Sequence, residues 1–216
     1  MKKVATRKPP HNFGEKSWKK AALWSVIGLL LIVILYFALS PARVSGTNKY
    51  ITSGDDFLKN RKFISALVEY RKAAFLAGSS KANERTIIAR ESEKDITKLE
   101  PFFREINDID ALNDLSEANK VPQNESEAVK DAKAYIENGR PDLAILVATT
   151  ATEMDENYAD AWIYLGLANY YMMKDAEISG ESREFYRGKA EESWQKARLA
   201  EPTNENVTKY LDELNK

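Results

Sequence analysis

Residues 125–204 read ESEAVKDAKAYIENGRPDLAILVATTATEMDENYADAWIYLGLANYYMMKDAEISGESREFYRGKAEESWQKARLAEPTN. Apolar residues recur in this stretch at three- and four-residue spacing and never alternate, which is a helical pattern. Asn124 and Glu127 stand three apart in front of the first helix, as in a capping box. Gly139 and Pro141 mark the turn that ends it. The small residues Ala132, Ala144, Ala148 and Ala151 follow one another at offsets of 12, 4 and 3. Upstream, residues 50–78 read YITSGDDFLKNRKFISALVEYRKAAFLAG, where Gly54, Ala66, Tyr70 and Ala73 repeat the same offsets. Two helices joined by a short turn pack antiparallel. Small residues at these places allow close approach within a pair, while larger ones fill the space between successive pairs.

The upstream pair has Tyr50, Gly54, Phe57 and Leu58 on one helix face, Asn60 as a cap, and Phe63, Ala66, Leu67, Tyr70, Ala73 and Ala74 on the second. Further along, Trp162, Leu165 and Gly166 precede Ala190, Trp194, Ala197 and Pro202. This series resembles the tetratricopeptide repeat family, whose unit of about 34 residues pairs a Trp, Leu, Gly, Tyr helix with an Ala, aromatic, Ala, Pro helix. The resemblance covers 47–80, 125–158 and 159–204. The last unit is twelve residues longer between Tyr170 and Ala190 than the family spacing, so an insertion near 172–185 lengthens the helices or forms a protruding loop. The expected fold is all-α, a helical-hairpin solenoid.

Residues 81–124 carry no repeat signature. Ile96, Leu99, Phe103, Ile106, Ile109, Leu112 and Leu115 recur about every three residues, so the segment forms amphipathic helices with Pro101 at a start or kink. Val207, Tyr210, Leu211 and Leu214 give a last helix, 205–216, whose polar face with Lys209, Asp212 and Glu213 suits a solenoid cap. The pattern leaves open whether the chain beyond residue 40 is one solenoid or two pieces hinged near Val121 and Pro122.

Residues 21–40, AALWSVIGLLLIVILYFALS, contain no charge and match the roughly 20 residues that cross about 30 Å of hydrocarbon. An uncleaved anchor is expected, the alternative being a signal segment cut after Ala42. The net charge of −1 conceals a division at this stretch. Residues 1–20 hold seven basic residues against Glu15 alone, whereas 41–216 hold 25 basic and 32 acidic ones. Basic residues beside a span stay in the cytoplasm. The expected topology is therefore a basic cytoplasmic tail (1–20), one transmembrane helix (21–40), a linker (41–48) and an acidic extracytoplasmic domain, in a bacterial cell membrane.

The chain has no Cys, and its one His, His11, lies in the tail. Thiolate metal sites, disulfides and Cys or His catalysis are excluded on that count. The acidic clusters Glu91, Glu93, Asp95 and Glu181, Glu184 lack the Gly turn and Asp spacing of a calcium loop, and read as solvated helix faces. No phosphate loop, nucleophile elbow or zinc pattern occurs. The expected protein is not an enzyme, and has neither cofactor nor metal.

The family resemblance implies a concave surface lined by the first helix of each unit. Carried over place by place, it holds Ser126, Val129, Lys133, Ile136 and Glu137 in one unit and Asp160, Ile163, Leu167, Tyr170 and Tyr171 in the next. Val129, Lys133, Ile136, Ile163, Leu167, Tyr170 and Tyr171 would form an apolar groove for a partner peptide, unless the final helix or the insertion fills it. Only Lys133 remains of the basic set that family members use to hold chaperone carboxyl termini. The acidic domain would repel nucleic acid. The expected partners are proteins, as a peptide segment or a membrane protein, with the bilayer held through residues 21–40 and self-association as the other option. The expected role is a scaffold or adaptor for translocon-associated, envelope or pilus assembly.

Overall fold

The computed structural model describes the backbone of residues 15–215 and, within it, the side chains of 25–32 and 44–215. The tail before residue 15 lies outside the described residues, as do the side chains of 21–24 and 33–40 in the expected span. The chain divides into two compact units, Met1–Gly46 and Thr47–Lys216. Helix α1 runs Glu15–Lys59. In the first unit Val26, Leu29, Leu30, Leu31 and Ile32 are exposed. Among the described residues no helix is long and apolar enough to cross a membrane. Residues 41–48, expected as a linker, are helical within α1. In the second unit Thr47, Ile51, Gly54 and Leu58 are buried at three- and four-residue spacing, so a core-facing stripe holds this part of the helix.

All the regular structure among the described residues is helical. After α1 the second unit contains α2 (Phe63–Ala77), α3 (Ser80–Ser92), a 3-10 turn (Ile96–Leu99), α4 (Glu100–Glu105), α5 (Ile109–Ala118), α6 (Glu125–Glu137), α7 (Pro141–Met154), α8 (Ala159–Lys174), α9 (Gly180–Ala200) and α10 (Glu205–Leu214). One core cluster runs from Leu58 through Phe102, Ala132 and Leu165 to Tyr186. A second joins Ile163 and Trp194 to Val207, Leu211 and Leu214.

The recurring small positions carry the packing. Ala66, Tyr70, Ala73, Ala132, Ala144, Ala148 and Ala151 are buried, as are Ala190, Trp194 and Ala197. A methyl added at Gly54 would stand 2.4 Å from the Tyr70 ring, and one at Gly166 would stand 2.2 Å from Trp194 Nε1. Both distances are far inside van der Waals contact, so each glycine is the slot for the aromatic ring of its partner helix. Gly166 and Trp194 are twelve residues further apart in the chain than Gly54 and Tyr70, and the interlock is the same.

Those extra residues lengthen α9 to 21 residues and form the loop before it. Ile178 anchors the loop in the core. The loop also supplies the start of α2. Asn60 does not cap this helix; its side-chain amide donates back to the Asp56 carbonyl at the end of α1. Instead Glu177 accepts from Ile64 N–H through its main-chain oxygen at 3.1 Å, and from Ser65 N–H and Oγ–H through Oε2 at 3.4 and 3.1 Å. The first amides of a helix have no internal partner, and here the donors find one 112 residues away. Asn124 does cap α6, accepting from Glu127 N–H at 2.9 Å, while the Glu127 carboxylate reaches Gln123 N–H rather than the cap's own.

Segment 81–124 belongs to the same body. Ile96, Leu99, Phe102, Phe103 and Leu115 are buried, Pro101 stands in the first turn of α4, and Ile109 alone of the expected stripe is exposed. Arg85, fully buried, fastens α3 through Asp55 at 3.0 Å and Glu105 at 2.6 Å, with its guanidinium 4.9 Å above the Phe102 ring. Tyr70 donates to the same Asp55 at 2.8 Å. Residues 47–216 form one unit, without a division at Val121 and Pro122.

Candidate functional site

Three turns in the second unit share one backbone geometry. Arg61, Asn107 and Gly139 adopt left-handed conformations with φ of 58°, 55° and 70°. Arg61 N–H donates to Leu58 O and Lys62 N–H to Phe57 O. Asn107 with Asp108, and Gly139 with Arg140, repeat this pair of bonds. This is the Schellman ending of a helix, whose left-handed residue is ordinarily glycine. Arg61 therefore occupies a place that costs a non-glycine residue about 1–2 kcal/mol.

What that conformation holds is a charge cluster. Arg61 Nε lies 3.2 Å from Asp142 Oδ2, and Arg140 binds the same carboxylate through Nε and Nη2, each at 3.0 Å. Arg140 Nη1 reaches Asp114 Oδ2 at 2.8 Å, and Lys59 Nζ lies 3.1 Å from Asp108 Oδ2. Burial pulls the Arg61 guanidinium below its ordinary value, with Asp142 opposing. For Arg140 burial works in the same direction, but the hydrogen bond and charge of Asp142 and the pairing with Asp114 outweigh it and raise the value. Two guanidiniums on one buried carboxylate fix the α1–α2 turn against the α6–α7 turn.

Beside this cluster lies a cavity of about 470 Å³, within the range that small molecules or side chains of a bound peptide occupy. Its walls are the α1–α2 turn, the α3 exit at Ser92–Ile96, the α6–α7 turn and the α8–α9 loop at Asp175 and Glu177. Phe63, Ile96, Met172 and Tyr186 give an apolar floor. Lys62, Lys94, Asp95 and Asp175 put both signs of charge on the rim. Ser92 Oγ is buried in the wall with no hydrogen-bond partner.

Next to it, Glu93 departs from the solvated face expected of its cluster. It is 3 % exposed, and its Oε2 accepts from Ser179 and Ser182 hydroxyls at 2.6 and 2.7 Å. Tyr186 donates its hydroxyl to the Glu93 carbonyl, and burial pushes the Tyr186 phenol well above its usual value. The start of α9 docks on the end of α3 and removes Glu93 from water, which helix periodicity alone does not reveal. Glu91, Glu181 and Glu184 are exposed. Among the described residues no group of three or more acidic or His side chains is placed to hold a metal ion.

None of the seven expected groove residues lines this cavity. Val129 is buried in the main core and Ile136 packs against it. Lys133 is exposed, 3.9 Å from Glu137. Ile163 is buried against α10, with Leu167 and Tyr170 packed on the same cluster. Tyr170 donates to Glu213 and lies 5.8 Å from the Trp194 ring, on which Tyr210 stacks at 5.1 Å. Tyr171 is half exposed. The chain's own last helix thus covers the Ile163, Leu167 and Tyr170 part of the expected groove. Trp162 is half-buried, donating its indole N–H to Glu156 O with Lys196 4.2 Å above the ring.

Arg61, Arg140 and Asp142 have no role in the sequence reading. The available signal was the run Asn60-Arg61-Lys62 standing where Asn138-Gly139-Arg140 stands in the second pair. The molecule is by class a helical-hairpin protein with a mixed-charge cavity where its turns converge. No protein-family model matches the chain, and no curated protein matches it.

Proposed function

We propose that this chain is a non-catalytic, membrane-anchored protein of tetratricopeptide type, an interaction scaffold or adaptor of the bacterial cell envelope. The cavity between the hairpin turns receives a segment of its protein partner. The observation that carries this reading is the cavity itself: an apolar floor takes the partner's apolar side chains, and a rim of both charge signs sets its direction. The interlocks Gly54–Tyr70 and Gly166–Trp194, at matching places in two hairpins, support the repeat assignment. The uncharged run 21–40 behind a basic tail supports the anchor. Anchoring raises the effective concentration of the cavity for membrane-bound partners, as assembly of translocon-associated, envelope or pilus components requires.

A photoreactive side chain at Lys62, on the rim, tests the reading in the full-length protein in its own membranes. Crosslinks to a different protein are expected, and Met172→Glu on the cavity floor abolishes them. Crosslinks only to further copies of this chain would replace the adaptor reading with an oligomeric structural one. The exposed Ile109 and Val121 in segment 81–124 are the observation that favours this second reading. Crosslinks that survive Met172→Glu unchanged would remove the cavity from the mechanism.

A further inference from the structure

One end of the second unit carries a surface unlike the rest. Ile51 clusters with Ala73 and Ala82, and Lys72 Nζ lies 5.6 Å above the Tyr50 ring. The turn from α2 to α3 is therefore level with the residues at which the chain enters this unit. Phe75 projects from that end at 90 % exposure, the most exposed large apolar side chain among the described residues. Its helix turns Phe63, Leu67, Tyr70 and Ala73 into the core, so Phe75 is on the opposite face with nothing of this unit to cover it.

The two chain segments that form this end are basic in sequence. Residues 47–51 and 72–82 contain Lys49, Lys72 and Lys81 and not one Asp or Glu, in a domain that is otherwise acidic. Their carboxylate partners come from the flanks, Glu69 for Lys72 and Glu105 for Lys81. Seven residue steps separate residue 40 from Thr47, at most about 25 Å of fully extended chain. On the proposed anchor, this end is thereby held within reach of the headgroup layer. An aromatic ring flanked by lysines is the chemistry that favours an anionic membrane interface.

Resting on that anchor reading, we infer that the α2–α3 tip is a second membrane contact: Phe75 enters the headgroup–acyl boundary of an anionic phospholipid surface while Lys49, Lys72 and Lys81 meet its phosphates. Two attachment points stop the domain from pivoting about α1, which keeps the cavity rim turned away from the bilayer.

The absence of cysteine makes the test direct. Single-cysteine variants Ala77→Cys at the tip, Lys62→Cys at the far end of α2 and Leu30→Cys in the apolar run carry an environment-sensitive fluorophore. The full chain is placed in phosphatidylcholine–phosphatidylglycerol vesicles containing either a lipid with a spin-label quencher near its headgroup, read at residues 77 and 62, or one with the quencher deep in its acyl chain, read at residue 30. Quenching severalfold stronger at residue 77 than at 62 is expected, falling to the residue-62 level with Phe75→Asp or in pure phosphatidylcholine. Equal quenching at 77 and 62, with strong quenching at 30, would overturn the tip contact and leave the anchor standing. No quenching at 30 would overturn the anchor itself, and the tip contact with it. Shielding of residue 77 from water but not by lipid would assign Phe75 to a protein partner or a second copy, and overturn the lipid assignment.

Discussion

Glycine is used here in two unrelated ways, and the difference is measurable. Gly166 is a slot for the Trp194 ring, and a methyl there has no space. Gly188, in α9, meets nothing within 4 Å. Gly166→Ala is expected to destabilise the domain by about 1–3 kcal/mol through overpacking. Gly188→Ala is expected to be neutral or to stabilise by up to about 1 kcal/mol through helix propensity. Urea unfolding of the two variants followed by circular dichroism checks the pair, and equal effects would mean that the interlock is unimportant. Arg61 shows the opposite case, a left-handed residue that is not glycine. Arg61→Gly relieves a strain of about 1–2 kcal/mol but removes one of two guanidiniums from Asp142. Stability near wild type, together with loss of crosslinking from the Lys62 position, is the expected result. A large loss of stability would mean that the ion pair outweighs the strain and serves the fold alone.

Helices in this chain begin and end by contacts that local patterns report unevenly. Asn124 and Gly139 announce the limits of α6, and the structure uses both. The start of α2 shows the contrary, because the carboxylate that satisfies Ser65 N–H comes from Glu177 in another hairpin. No scan of neighbouring residues finds such a partner. Glu177→Ala is expected to cost about 0.5–2 kcal/mol, the size of a lost helix cap. Hydrogen exchange should accelerate at Ser65 far more than at Tyr70, the latter being deep in the same helix. Uniform acceleration across α2 would show that the loop supports the whole helix rather than its first turn. The final helix is another such case. Its apolar face, Val207, Leu211 and Leu214, was legible as a cap, yet that it would lie over Ile163 and Tyr170 depended on Trp194 and Tyr210 meeting face to face.

Across the whole domain, one buried and one partly buried arginine join segments that the repeat pattern treats separately. Arg85 ties α3 to α1 and α4, and Arg140 with Asp142 ties the second hairpin to the first and to α5. Hydrogen bonding to Arg85 and Lys81 holds the Glu105 carboxyl below its usual 4.5. A carboxylate depressed in the folded state stabilises it above the unfolded value, and that contribution disappears as pH falls through the folded one. The stability difference between wild type and Glu105→Gln should therefore be constant near neutrality and shrink below about pH 4.5. A difference that stays constant down to pH 3 would show that Glu105 is not part of the acid response. By itself, the sequence determined the helical class, the hairpin register, the charge division at the apolar run and the positions of small residues, because each follows from periodicity or composition within a short window. Only the tertiary structure decided that segment 81–124 joins the same core, that Glu93 is buried, that α10 covers the expected groove and that a cavity opens between the turns. Those outcomes depend on which surfaces meet across 43 to 112 residues of chain, and pairing at that range leaves no period in the sequence to read.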